Sequence, residues 1–422
     1  MVGLTELENL ATALDGQLAD VDAAYAAAYP GDTVARQPVH TVYVAADRYD
    51  AETVSRWGAE ALGTLDAHIS GSSDLAAVIG IEPEIADAVL PLVRAKLRNE
   101  PIEDLRIDFE DGFVQRGVTD RDRDEDEHCA RAAAALAAAP GVTPFAGIRM
   151  KSFEASTRHR GLRTLDAFIA ALTEKNSLPD GFIVTLPKVT APEQVRAMIT
   201  MCEYLDRTYS LPAPLGFEIQ IETPQSICGP DGTAAVATMI RAAEGRCTAL
   251  HYGTYDYSAA CGIAAEYQAM DHPVADHAKA TMQVAAAGTG VRLSDGSTNR
   301  LPVGPEDDIR AAWGLHARLV DRSLRRGFYQ GWDLHPAQLP TRFAATFAFY
   351  RRSLPVAGAR VAAYLDPGKS SGYLDEPATA RALASFLLRG HACGAITDAD
   401  ISGHAGVGLG ELIALRASGA VQ

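Results

Sequence analysis

Eight strand-like runs, each followed by a segment of helical length, predict an α/β protein built as a (β/α)8 TIM barrel with an N-terminal helix and a C-terminal helical extension. Three observations carry this expectation. The strand runs are rich in Val, Ile, Phe, Tyr and Thr, and the stretches between them are too long for hairpins, so the strands pair in parallel through crossovers. Eight such units suffice to close a parallel sheet on itself. Polar or charged residues cluster where the strand runs stop, and the C-terminal ends of parallel strands face the ligand crevice.

Residues 5–28 are Ala- and Leu-rich with helical spacing, open on the capping-box pattern Thr5-x-x-Glu8, and stop at Pro30-Gly31-Asp32. Residues 1–37 therefore read as an N-terminal helical extension. The barrel is expected over 38–340. Its first strand lies at about 40–45, with helical material to about 99. The second, 105–110, runs into Asp111-Gly112, an acidic, Arg-rich stretch over 116–127, and an Ala-rich helix ending at Pro140. Strand 144–150 precedes helix 162–175. Strand 181–186 precedes Pro187-Lys188 and helix 192–205. Strand 216–222 precedes a Pro/Gly loop and helix 233–244, and strand 248–253 a polar loop and helix 274–286. A weaker strand near 289–293 leads to helix 306–326, and a last one, 328–334, stops before His335-Pro336. Residues 341–422 break the alternation and read as a C-terminal helical segment serving as a lid or in oligomerisation.

The composition narrows the function. At 422 residues, 47% hydrophobic and 22% charged, the chain has the make-up of a soluble globular protein. A net charge of -16 argues against nucleic acid as a partner, because phosphate binding needs a basic surface. Six scattered cysteines without a CxxC pair argue against a disulfide framework or a zinc site, and fit a reducing cytoplasm. The N-terminus lacks the pattern of a signal peptide, and no apolar run reaches membrane-spanning length.

Along strand 216–222, period 2 puts Glu218, Gln220 and Glu222 on one face. Glu218 reads as a partner for barrel arginines, whereas Glu222, at the strand end, reads as a site residue. Asp256 follows Gly253 by three residues and either caps the segment after it or joins Glu222 at the mouth. Glu110 and Asp111 end the second strand in the same manner. Two such charges about 5 Å apart at an effective dielectric of about 20 repel by roughly 3 kcal/mol, which a proton or cation must offset. Ligation by oxygens alone points to Mg2+, with Mn2+ as the other candidate. Arg149 can fork onto a carboxylate or a developing enolate. Lys188 is suited to substrate or phosphate contact, or to a Schiff base. His335 either orients a loop or touches substrate, and His251 is either a core or a site histidine. The cluster Arg158-His159-Arg160 reads as a solvated helix start, and His272 and His277 as surface residues.

Taken in order, these motifs resemble the Mg2+-dependent citrate lyase β-subunit / malyl-CoA lyase / hydroxy-ketoacid aldolase family of barrels, within the pyruvate/phosphoenolpyruvate-binding superfamily. The segments are Val42-Tyr-Val-Ala-Ala-Asp-Arg48, Asp108-Phe-Glu-Asp-Gly112, Ile148-Arg-Met150, Leu186-Pro-Lys188, Ile221-Glu-Thr223, Gly253-Thr-Tyr-Asp256, Gly331-Trp-Asp-Leu-His-Pro-Ala-Gln338 and Gly372-Tyr-Leu-Asp-Glu-Pro377. The resemblance implies that Glu222 and Asp256 bind Mg2+ and that Arg149 holds the oxygens of a keto acid or enolate. It also implies that Glu110 and Asp111 support the site from behind, and that Asp375 is a lid acid/base delivered in some relatives by a neighbouring subunit. The chain departs from the family in a long segment between the first two strands, in residues 1–38, in Met150-Lys151 where Asn-Pro is usual, and in Trp332-Asp333 where a Lys is usual.

The expected activity is a carbon–carbon lyase or aldolase acting on a small hydroxy or keto acid, free or as a CoA thioester, in a cytoplasmic homo-oligomer without nucleic-acid or membrane partners. A malate-synthase-like condensation of acyl-CoA with glyoxylate is the first alternative, and a non-catalytic metabolite-binding barrel the second.

Overall fold

The computed structural model describes residues 2–33, 35–175, 178–366 and 368–418. Met1 and 419–422, at the ends of the two expected extensions, lie outside the described residues, as do 34, 176–177 and 367.

Eight parallel strands form the barrel: β1 (Thr41–Ala45), β2 (Asp104–Asp108), β3 (Phe145–Arg149), β4 (Ile183–Leu186), β5 (Gly216–Ile221), β6 (Cys247–Tyr252), β7 (Arg292–Ser294) and β8 (Trp332–Asp333). Neighbours in sequence are neighbours in the sheet, and β1 pairs with β8. A parallel bridge between Ser294 and Gln330, with Asp295 N–H donating to the Gln330 carbonyl at 2.8 Å, joins β7 to the approach of β8 and closes the ring.

The helices form for ordinary reasons. Helix Glu306–Arg325 carries Glu306, Asp307 and Asp308 in its first turn and Arg322 and Arg325 in its last, matching the helix dipole. Its buried residues, among them Ile309, Trp313, Ala317, Val320 and Leu324, recur at three- and four-residue spacing and form the stripe that faces the barrel. Helix Pro192–Tyr209 opens on a proline, and the Gln194 side chain reaches back to the Ala191 N–H at 3.1 Å.

Three expectations change. The last strand is only Trp332–Asp333, because 328–331 approach as extended chain held mainly by the bridge at Gln330. The seventh strand begins at Arg292 rather than 289, after a turn in which Gly288 and Gly290 adopt positive φ. Helix Leu339–Leu365, expected to start an extension, instead packs between helices Pro83–Asn99 and Glu306–Arg325 and fills the place of the barrel's eighth helix. Helices Pro377–Ala392, Asp398–Ala405 and Leu409–Ala417 follow and pack on it or on one another.

The long segment between β1 and β2 consists of helices Thr53–His68, Ser72–Ile79 and Pro83–Asn99. Among the described residues no helix is long and apolar enough to cross a membrane.

The inside of the barrel is polar near its middle. Arg106 forks onto Glu218, with Nε donating at 3.1 Å and Nη2 at 2.8 Å, and also meets Asp104. Thr185, Tyr43 and His251 complete the shell around Glu218. Burial alone would raise the Glu218 carboxyl, but the charge of Arg106 and the contact with His251 outweigh it and hold the group well below the usual range. Glu218 and His251 are thus internal framework.

Trp332 lies inside the barrel, 4.5 Å from the Tyr43 ring, and donates to His251 Nδ1 at 3.2 Å. Its neighbour Asp333 points the other way. It meets His40 Nδ1 at 2.7 Å, receives Arg342 Nε at 3.0 Å, and lies 3.1 Å from His316 Nε2 without the alignment of a hydrogen bond. Asp333 therefore ties helix Leu339–Leu365 to the barrel wall.

Candidate active site

The C-terminal ends of β2 to β6 converge on one mouth. Asp108 ends β2, and Glu110 and Asp111 follow in the turn after it. The Asp108 carboxylate accepts the backbone N–H groups of Glu110 and Gly112, both at 2.9 Å, which fixes that turn. Arg149 ends β3 and forks onto Asp108, Nε to Oδ1 at 2.7 Å and Nη2 to Oδ2 at 2.6 Å. Its Nη1 donates to Gln220 Oε1 at 3.3 Å and lies 3.5 Å from Glu110 Oε2. The guanidinium stands over the Tyr43 ring, 4.8 Å from the centroid. Burial alone would lower the Arg149 group, but Asp108 outweighs that and holds it permanently charged.

Lys188 follows β4 through Pro187 and has a positive φ of 50°, uncommon for a residue with a side chain. This conformation points its backbone N–H at Glu222 Oε1, 2.7 Å away. Its ammonium lies 2.9 Å from Asp111 Oδ2, 3.3 Å from Glu110 Oε1 and 3.3 Å from Asp256 Oδ2. Burial alone would lower the Lys188 group, but Glu222, Glu110 and Asp111 together raise it.

Glu222, one residue past β5, is 1% exposed, and its second oxygen accepts from the Gln220 amide. Burial, with added repulsion from Glu110 and Asp256, pushes its carboxyl up to about 8. Glu110 is pushed up to about 7, again chiefly by burial. Asp256 sits in the first turn of helix Thr254–Ala260, with its side chain half exposed. Gly253 lets β6 pass close to Glu222, since a Cβ there would come within 2.5 Å of the Glu222 Cβ.

Oxygens of Asp111, Glu222 and Asp256 all lie within 4.8 Å of one another. Oxygens around an octahedral Mg2+ stand about 3 Å apart when adjacent and about 4.2 Å when opposite, given Mg–O distances of about 2.1 Å. The donor set is all carboxylate, and one of the three is deeply buried. By their donor chemistry these residues fit a small hard cation, once drawn in slightly from the separations seen here.

Most residues singled out from the sequence come together here. Glu222, Asp256, Arg149, Lys188, Glu110 and Asp111 share the mouth, with Asp111 as a third member of the carboxylate trio rather than a supporting residue. Two do not join them. His335 accepts the Ala337 N–H at 3.2 Å and caps its own turn. Asp375 is held by Arg360, whose Nε donates to Oδ2 at 3.0 Å. Sequence reasoning missed the parts played by Asp108, Gln220 and Tyr43. The signal for Gln220 was present, since it alternates with two glutamates on a buried strand face. One departure also finds partners: Lys151 donates to the Phe109 carbonyl at 2.8 Å and lies 3.3 Å from Glu125.

Residues 18–419 match a family described as a domain of unknown function, DUF6986. No curated protein matches the chain. Among solved structures, a citrate lyase from Burkholderia xenovorans LB400 is 20% identical, with a TM-score of 0.56 over 89% of this chain and 98% of that one. CitE of Mycobacterium tuberculosis, in complex with magnesium, acetoacetate and coenzyme A, is 17% identical, with a TM-score of 0.49 over 85% of this chain and 99% of that one. Malate synthase of Haloferax volcanii is 14% identical, with a TM-score of 0.47 over 75% and 76% of the two chains. At these identities the citrate lyase likeness speaks to the fold alone.

Proposed function

The chain belongs to the DUF6986 family, and we propose that it is a Mg2+-dependent carbon–carbon lyase or aldolase that cleaves or forms a small hydroxy or keto acid, free or as its CoA thioester. The observation that carries this reading is the trio Asp111, Glu222 and Asp256 beside a buried, permanently charged Arg149 at one barrel mouth. Those three carboxylates would hold the ion, which when bound supplies a Lewis acid for a carbonyl oxygen.

The chain's own residues do the rest. Asp108 and Tyr43 fix the Arg149 guanidinium, so the face it turns to the mouth meets the substrate's carboxylate or the charge developing on its oxygen without rearrangement. Gln220 bridges Arg149 to Glu222 and holds the two at a set separation. Lys188 supplies a second cation at the rim for an anionic group. A proton-moving role for Asp375 would require its release from Arg360, by movement of its loop or on meeting a second copy. Assembly into a homo-oligomer is supported by helix Val2–Ala28, on which Leu7, Leu14 and Leu18 stand exposed. A cytoplasmic setting is supported by six free cysteines.

Direct assay tests the reading. Purified protein with Mg2+ is offered hydroxy acids and their CoA thioesters, and keto-acid release is followed. Cleavage that stops in excess chelator supports it, and full turnover in chelator overturns it. Condensation of acyl-CoA with glyoxylate, in the absence of cleavage, would favour a malate-synthase-like reaction instead.

A further inference from the structure

A cavity of about 690 Å3 lies at the other end of the barrel. Its walls come from residues that precede strands rather than follow them: Arg36 and Gln37 before β1, Arg292 at the start of β7, and Tyr329 before β8. Helices Pro377–Ala392 and Leu409–Ala417 close it with Arg389 and Arg416. A barrel strand of five or six residues separates this end from the carboxylate mouth by about 17–20 Å.

The charges here run against those of the rest of the molecule. The chain carries a net charge of -16, yet four arginines line one cavity. Arg36 is neutralised by Glu100 and Glu103. The other three lack a close carboxylate partner. Arg292 and Arg416 form no ion pair with any described residue, and each is held instead by a backbone carbonyl, Arg292 by Ala35 at 3.3 Å and Arg416 by Thr33. Arg389 is stacked on the Tyr329 ring, 4.4 Å from its centroid, and its nearest carboxylate is the mostly exposed Asp32, 3.9 Å away. Burial lowers the Arg292 and Arg416 groups, and the Arg389 charge lowers both further, offset only in part by Asp104 near Arg292 and Asp32 near Arg416. Arg292 and Arg416 are thus fixed by neutral partners and repelled by Arg389, whose own carboxylate partner is distant, an arrangement that a bound anion would relieve. Leu388, Ile413 and Val291 supply an apolar wall, and the volume falls in the range of small-molecule sites.

We propose that this cavity is a binding site for a small organic anion, a metabolite bearing phosphate or several carboxylates, separate from the carboxylate mouth and seated on Arg292, Arg389 and Arg416.

Calorimetric titration of the full chain in metal-free, low-salt buffer tests this, with pyrophosphate in one arm and tricarballylate in the other. The expected result is saturable binding of at least one probe, and the tighter arm identifies the head group. Arg416→Gln and Arg389→Gln should each weaken binding at least about tenfold, the loss expected for one charge-assisted hydrogen bond. Glu222→Gln should bind as the parent chain does. Arg416→Gln lies in the last helix and removes no stacking, so it stays informative even if Arg389→Gln unfolds. Absence of saturable binding in both arms, binding unchanged by Arg416→Gln, or binding abolished by Glu222→Gln would overturn the proposal.

Discussion

The ammonium of Lys188 lies 3.3 Å from Oδ2 of Asp256, so a protein cation already stands among the carboxylates proposed to hold Mg2+. A divalent ion must displace it or share its partners. Lys188→Met is therefore expected to bind Mg2+ about five- to tenfold more tightly, corresponding to about 1 kcal/mol for a partly exposed charge. Turnover should fall, because the same cation serves the substrate. Titration calorimetry with Mg2+ checks the first part and steady-state kinetics the second.

Glu222→Gln and Asp256→Asn each remove one anionic ligand while keeping shape. Both are expected to abolish Mg2+ binding in calorimetry and to reduce kcat/KM by at least about a thousandfold, with circular dichroism unchanged. Full turnover by either variant would end the metal-site reading.

Arg149→Lys keeps the charge but not the fork. A lysine can meet Asp108 through one oxygen at best and loses the contact with Gln220. The expected loss in kcat/KM is about a hundredfold or more, with Mg2+ affinity nearly unchanged. Loss of Mg2+ binding on the same scale would show that Arg149 shapes the metal site instead.

Asp333 is fully buried between His40, His316 and Arg342. Asp333→Asn leaves the Arg342 guanidinium without its carboxylate partner and should destabilise the fold by about 3–5 kcal/mol, read from denaturant unfolding. A change under about 1 kcal/mol would mean that this network does not hold helix Leu339–Leu365 to the barrel.

His316 in the same network supplies a pH dependence. Burial, the dominant effect, lowers its imidazole below the usual value despite Asp333, so it stays neutral in the folded chain. The unfolded chain takes up that proton near pH 6.5, so the contribution of His316 is present above that pH and is lost as pH falls toward the folded value. The stability of the parent chain relative to His316→Gln should therefore shrink between pH 7 and about pH 5.5. A difference that holds constant or grows over that interval would contradict the assignment.

Much of the mouth was legible in the residues themselves. Glu222, Asp256, Arg149 and Lys188 each follow a β-rich run directly, and parallel strands carry such residues to one end. Asp375 and His335 stand in the expected motifs but are not brought to this mouth, His335 because it caps its own turn. A motif gives a residue's place along the chain but not its partner, and nothing near Asp375 in sequence announces Arg360, fifteen residues earlier on a helix.

The sequence by itself determined the eight-unit alternation and the pile-up of carboxylates at the strand ends, because both follow from local periodicity and strand polarity. Only the tertiary structure decided that Asp111 completes the trio, that Lys188 stands among its oxygens, and that helix Leu339–Leu365 closes the ring. Those relations join residues tens to hundreds of positions apart, and no local pattern encodes them; they arise only when barrel closure brings the strand ends to one place.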